Sequence, residues 1–212
     1  MQIKTNQPRP LPVIVLTDVS GSMTELGKLA TLNNSLREMV SGLAAETDIR
    51  GEIRIAVVTF GNGEAKVLHP PTPASDLNVA PLVAAGNTPM GQAFARTREL
   101  LSNHDLVPVN AFAPTLVLVS DGKPTDEWKS PLSELLSSDR GAKAQRFALA
   151  IGLDADRHVL GEFAGSAERL VEAADAGQIA RFFRWVTMSV ALRSRAVNPN
   201  APALPLAITD DT

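Results

Sequence analysis

Asp18, Ser20 and Ser22 occupy alternate positions directly after the short apolar run from Val13 to Leu16. An uninterrupted, mainly β-branched run of this kind is the pattern of a strand buried on both faces. The polar triplet therefore falls at a strand's carboxyl end, where an open parallel sheet gathers its ligands. One carboxylate and two hydroxyls from a single tight turn can converge there on a hard cation. Two later stretches add to them. Gly86, Asn87, Thr88 and Pro89 read as a helix start, with Thr88 at the N-cap and Pro89 at the first helical position, where its missing N–H is not needed. The run from Thr115 to Val119 is another doubly buried strand, ending in Ser120, Asp121 and Gly122.

Asp18, Ser20, Ser22, Thr88 and Asp121 are all oxygen donors, with no sulfur or imidazole among them. Such a set favours Mg2+, Mn2+ or Ca2+ over zinc or copper, and Mg2+ suits it best because that ion keeps an octahedral shell with several waters. The hydroxyls carry no charge, so the ion is less neutralised than in an all-carboxylate cage. It attracts an anionic oxygen from outside, most simply an Asp or Glu of a protein partner. A catalytic alternative makes Asp18 the nucleophile of a Mg2+-dependent phosphoryl-transfer enzyme or hydrolase. Against it, no carboxylate follows at Asp-x-Asp spacing and no general base is evident.

Other candidates have plainer readings. Gly122, Lys123 and Pro124 fail as a phosphate loop, because Val117 stands at the first glycine position and proline follows the lysine. Asp154 and Asp156 lack the glycine and terminal glutamate of a calcium loop and read as caps. Asp126 reads as a cap and Trp128 as a semi-buried ring. His69, His104 and His158 have no ligand spacing.

The elements that position these residues alternate between strand and helix. Leu26, Leu29, Leu32, Leu36, Val40 and Leu43 form a helical stripe over 26–45. Strand runs follow at 53–60 and, across a turn at Gly61, Asn62 and Gly63, at 65–68 as an antiparallel hairpin partner. Residues 70–85, opened by Pro70, Pro71 and Pro73, read as a surface connection with one short helical turn. Helices are expected at 90–101, 131–137, 156–163 and 175–192, and strands at 146–151 and 169–171. The pattern predicts an α/β fold: a doubly wound, mostly parallel sheet with one antiparallel edge strand and helices on both faces. Residues 1–10 are read as an N-terminal extension, 11–192 as one domain and 193–212 as a proline-rich tail. Its acidic end, Asp210 and Asp211, could dock into a metal site.

The 212 residues suit a single domain, with 44% hydrophobic and 20% charged residues. A net charge of −3 without a basic run gives no support to nucleic-acid binding. The absence of cysteine excludes disulfides and thiolate sites, and there is neither an apolar leader nor a membrane-length stretch. A cytoplasmic location is the simplest expectation.

Asp18-x-Ser20-x-Ser22, then Thr88, then Asp121, resembles the metal-ion-dependent adhesion site of von Willebrand factor A domains, over roughly residues 11–192. The resemblance implies that the serines and threonine approach the metal directly or through water while the aspartates tune it. More narrowly, Gly86-Asn-Thr-Pro-Met-Gly91, Ser120-Asp-Gly-Lys-Pro-Thr-Asp-Glu-Trp128 and Phe147-Ala-Leu-Ala-Ile-Gly152 resemble TerY-type bacterial tellurium-resistance proteins, with Lys123 where an acidic residue is commoner. That resemblance implies a cytoplasmic adaptor for a kinase or phosphatase in a stress or defence system; an alternative reading is a regulatory subunit of an ATP-driven or kinase/phosphatase complex.

Overall fold

The apolar runs pair into one six-stranded sheet in the order β3-β2-β1-β4-β5-β6 in a computed structural model, which describes residues 8–47 and 50–200. The strands are β1 (Arg9–Asp18), β2 (Gly51–Gly61), β3 (Glu64–Pro73), β4 (Thr115–Ser120), β5 (Gln145–Ile151) and β6 (Leu170–Ala173). All neighbours run parallel except β3, which pairs antiparallel with β2 at the edge. The helices are α1 (Lys28–Ala44), α2 (Met90–Ser102), α3 (Lys129–Ser137), α4 (Arg157–Ala164) and α5 (Ala176–Arg195). This is the expected doubly wound α/β architecture.

Alternation along β1 divides the core. Leu11, Val13 and Val15 face a layer built with Leu32 and Leu36 of α1 and Phe182, Phe183 and Val186 of α5. Ile14 and Leu16 face the opposite layer, with Met90 and Phe94 of α2, Leu132 of α3 and Phe163 of α4. Both faces of the central strands are therefore covered, which is why their sequences lack polar alternation. From β1 the chain winds outward through β2 on one side and β4 on the other, and the crevice beyond the β1 and β4 carboxyl ends is the topological switch point.

Several boundaries differ from expectation for physical reasons. Strand β3 does not stop before the prolines but runs through Pro73, because an edge strand tolerates residues that donate no ladder bond, and the β2–β3 register shifts between Ile55 and Val57. The hairpin turn is carried by Asn62 and Gly63, both at positive φ. No helical turn interrupts 74–89. Strand β1 starts at Arg9, inside the expected extension, and α5 continues to Arg195, inside the expected tail. Beyond it, Pro199 and Asn200 fold back. The buried Arg193 guanidinium donates to Pro199 O (3.0 Å), to Ala113 O (2.8 Å) and to the Thr115 hydroxyl, while Asn200 Oδ1 accepts from Ala113 N at 2.8 Å. Burial without a carboxylate partner pushes Arg193 down to about 10. Asp210 and Asp211 lie outside the described residues, and with them the idea that they dock into a metal site.

The largest departure is at Leu26, which does not belong to the α1 stripe. It lies in a short helical segment, Gly21–Gly27, at φ 52°, and is 92% exposed, whereas Leu32 and Leu36 are fully buried. A non-glycine residue in the left-handed region is strained, and Leu26 gains nothing from packing to offset this. Replacing Leu26 with Asn, which tolerates that conformation, is expected to leave stability unchanged or raise it by up to about 1 kcal/mol in urea unfolding. Leu32→Ala is expected to lower it by about 2–5 kcal/mol.

Candidate metal centre

Three polar loops meet at the switch point. The first leaves β1 at Asp18, the second precedes α2 and carries Thr88, and the third leaves β4 at Ser120 and Asp121. Main-chain hydrogen bonds fasten them together. Gly21 N donates to Gly86 O (2.9 Å) and Ala85 N to Val19 O (2.8 Å), tying the first loop to the second. Thr125 N donates to Thr88 O at 2.9 Å, and Thr88 N donates to the Thr125 hydroxyl at 3.1 Å, tying the second to the third.

The third loop also caps α2. Asp126 accepts from Gly91 N and Gln92 N at 2.9 Å each, satisfying two of the orphan donors at the helix start. Asp126 is thus a cap, as expected, though for a helix distant in sequence. Thr88 is not the N-cap: Pro89 holds that position, no side-chain cap bond is made there, and the helix begins at Met90. The loop's approach depends on Gly91, where a Cβ would lie 1.9 Å from Glu127 O. Gly86, at φ 69°, fits a turn in which a Cβ would come within 2.7 Å of Asn62 Cα.

Asp18 anchors the floor of the site. It is fully buried, its Oδ1 accepting from Ser20 N at 2.8 Å and its Oδ2 from the Ser120 hydroxyl at 2.5 Å. A chain of contacts continues from there. Ser20 Oγ lies 3.1 Å from Ser22 Oγ, and Ser22 Oγ donates to Asp121 Oδ1 at 2.7 Å. The second Asp121 oxygen accepts from Lys28 Nζ, also at 2.7 Å. Thr88 is 5% exposed and its hydroxyl has no hydrogen-bond partner among the described residues. A Cβ on Gly122 would meet that hydroxyl at 3.4 Å, which places Thr88 beside the Asp121 loop. The structure brings the expected donors of all three loops to one crevice.

The donors fit a hard divalent ion. Two carboxylates and three hydroxyls supply the donors, the neighbouring Lys28 ammonium has no lone pair to offer a metal, and Thr88 has an oxygen with unspent capacity. Among the described residues no three His, Cys, Asp or Glu side chains form a metal-binding group, so the hydroxyls are essential to any such centre. Asp156 caps α4, as expected, by accepting from His158 N and Val159 N. Trp128 is half-buried, edge-on to His158. A cavity of about 1060 Å³ lined by Arg9, His104, Phe112 and Arg140 lies at the opposite, amino end of the strands, away from these donors. Two participants escaped the sequence reading. Ser120 was visible in the motif but not as the partner of Asp18, and Lys28 had no signal beyond a cation placed where a helix starts.

Burial pushes the Asp18 carboxyl up to about 6, against the lowering effect of hydrogen bonds from Ser120 and Ser20 and with a small raising contribution from Asp121. The folded state therefore binds a proton more tightly than the unfolded chain, and metal-free stability falls as pH rises through the window from about 4 to about 6. With chelator present, the loss attributable to Asp18 is expected to be about 2–3 kcal/mol above that window. Urea unfolding of Asp18→Asn should lack this loss, and identical pH profiles for the two proteins would contradict the assignment. Asp126→Ala should cost about 1 kcal/mol in the same assay at pH 7, since α2 loses its cap.

No curated protein shows significant sequence similarity to the chain. Similar solved structures include proximal thread matrix protein 1 from the mussel byssus with a zinc-occupied MIDAS motif, at 17% identity and a TM-score of 0.67, covering 85% of this chain and 48% of that one. A von Willebrand factor type A structure from Catenulispora acidiphila matches at 19% identity and a TM-score of 0.66, covering 85% and 42%. The vWF domain of the pilus tip protein Mfa5 from Porphyromonas gingivalis matches at 12% identity and a TM-score of 0.68, covering 89% and 97%. The chain thus spans less than half of the first two proteins and nearly all of the third domain. At these identities the likeness establishes the fold alone. The family model of the von Willebrand factor type A domain matches residues 13–185, most of the chain, and the protein belongs to that family.

Proposed function

We propose that this domain binds a protein partner through a divalent cation held by Asp18, Ser20, Ser22, Thr88 and Asp121, with Mg2+ the best-suited ion and Mn2+ or Ca2+ as substitutes. The observation that carries this reading is the gathering of hydroxyl and carboxylate oxygens from three separately encoded loops around the β1–β4 switch point. When bound, the ion supplies a coordination position and positive charge for a partner's Asp or Glu. Ser20, Ser22 and Thr88 are neutral donors, so they hold the ion without quenching its attraction for that carboxylate. Asp18 is held in one orientation from both of its oxygens. The main-chain braces fix the loops before a partner arrives, which limits the ordering cost of binding.

The same geometry favours a non-catalytic role. Asp18 is fully buried with both oxygens engaged, which suits a structural ligand better than an attacking nucleophile. The motifs resembling TerY-type proteins favour, more narrowly, a cytoplasmic adaptor in a stress or tellurium-resistance system, with a kinase or phosphatase as partner. Gly91 lends that motif a physical reason, since only glycine admits the Glu127 main chain at the start of α2. Among the described residues no helix is long and apolar enough to cross a membrane.

Mg2+ at tenfold excess over its dissociation constant should stabilise the domain by about 1.4 kcal/mol. The expected result in thermal unfolding is a Tm raised by Mg2+ or Mn2+, restored by chelator and insensitive to either ion in Asp18→Ala. A wild-type Tm indifferent to both ions and to chelator would sink the proposal.

A further inference from the structure

The ion pair between Lys28 and Asp121 lies inside the candidate centre, and metal binding alone does not account for it. We propose that Lys28 is a tethered counter-cation of this site. Without a divalent ion its ammonium neutralises Asp121, and a metal loads by displacing it, so Lys28 sets the ion concentration at which the site fills. The inference rests on reading the donors as a metal centre.

Three observations converge on it. First, both Asp121 oxygens are taken, one by the Ser22 hydroxyl and the other by Lys28 Nζ, each at 2.7 Å. The Asp121 side chain is fully buried and that of Lys28 only 13% exposed, so water screens the pair weakly. A cation entering beside Asp121 meets a like charge already seated there. Second, Lys28 is the first residue of α1, where the positive end of the helix disfavours a cation. Asp121 offsets that placement, and no side chain caps this helix start to do so instead.

Third, a joint precedes the lysine. Leu26 and Gly27 are both left-handed, at φ 52° and 72°, and the Leu26 side chain is in solvent. Within this segment, the side-chain bonds that hold it are the Thr24 hydroxyl to Gly21 O at 2.7 Å and Lys28 to Asp121. Releasing the ammonium removes one of these two side-chain ties; the Lys28 N–H still donates to Met23 O and Glu25 O, while Leu26, 92% exposed, has no packing to lose on leaving its strained conformation. Loading the metal is therefore coupled to rearrangement of 24–28, at the rim a partner would touch. After the exchange the divalent ion offsets Asp18 and Asp121, and the released Lys28 adds an unpaired positive charge beside the site, matched to an incoming carboxylate.

Mn2+ titration by calorimetry of the full chain, with Lys28→Met, Lys28→Arg and Asp121→Ala alongside wild type, tests this. Lys28→Met is expected to bind Mn2+ at least tenfold more tightly than wild type. Lys28→Arg keeps the charge and should stay within about threefold of wild type. Equal or weaker binding by Lys28→Met, with Asp121→Ala abolishing binding, would overturn the counter-cation role while leaving the metal centre standing. No Mn2+ binding by wild type or by Lys28→Met would overturn both. Should Lys28→Met not fold, amine labelling of the wild-type protein followed by mass spectrometry decides the matter. Lys28 should react several-fold faster at saturating Mg2+ than in chelator, and an unchanged rate would contradict displacement.

Discussion

A carboxylate with no solvent exposure at the carboxyl end of the central strand is the constraint on which this structure turns. Buried charge is tolerated only when hydrogen bonds or counter-charge surround it, and Asp18 has the Ser20 amide on one oxygen and the Ser120 hydroxyl on the other. The second partner exists because β4 lies directly against β1, with Thr17 opposite Val119. Strand order thus carries the site: where the winding reverses, β1 and β4 place two carboxylates and their serines in one crevice. A different order would leave Asp18 buried without Ser120 and would separate it from Asp121.

The loops around this point are fastened by main chain more than by charge. The links Gly21 to Gly86, Ala85 to Val19 and Thr125 to Thr88 join main-chain groups of the three loops directly to one another. They need close approach, and this explains glycine at positions 86 and 91 without reference to any ligand. The Asp126 fork on α2 serves two ends at once, since it caps the helix and holds the Asp121 loop beside Thr88. The exception is the segment before α1, where Leu26 is strained and exposed. Under the proposed exchange at Lys28, braced loops with one edge tied by that ion pair would couple ion binding to partner binding.

Much of this was legible in the sequence. Doubly apolar runs mark buried parallel strands, and polar residues at their ends mark the crevice; both depend on local pattern. The prolines of β3 misled because the rule excluding them applies to central strands, and the sequence does not say which strand lies at an edge. Leu26 misled because it continues the heptad-like spacing of α1 while its backbone belongs to the preceding turn. Thr88 has the residue type of an N-cap, yet that need is met from 126, a tertiary substitution invisible to local pattern. Lys28 is the same kind of case, a long-range ion pair across 93 positions.

The central claim concerns where an ion sits. Anomalous diffraction from crystals grown with Mn2+ tests it directly. The account predicts an anomalous peak within coordination distance of at least one of the Ser20, Ser22 and Thr88 hydroxyls, on the crevice side of Asp18 and Asp121, with Lys28 Nζ withdrawn from Asp121. A crevice without a peak at saturating Mn2+, and Lys28 still paired, would contradict it.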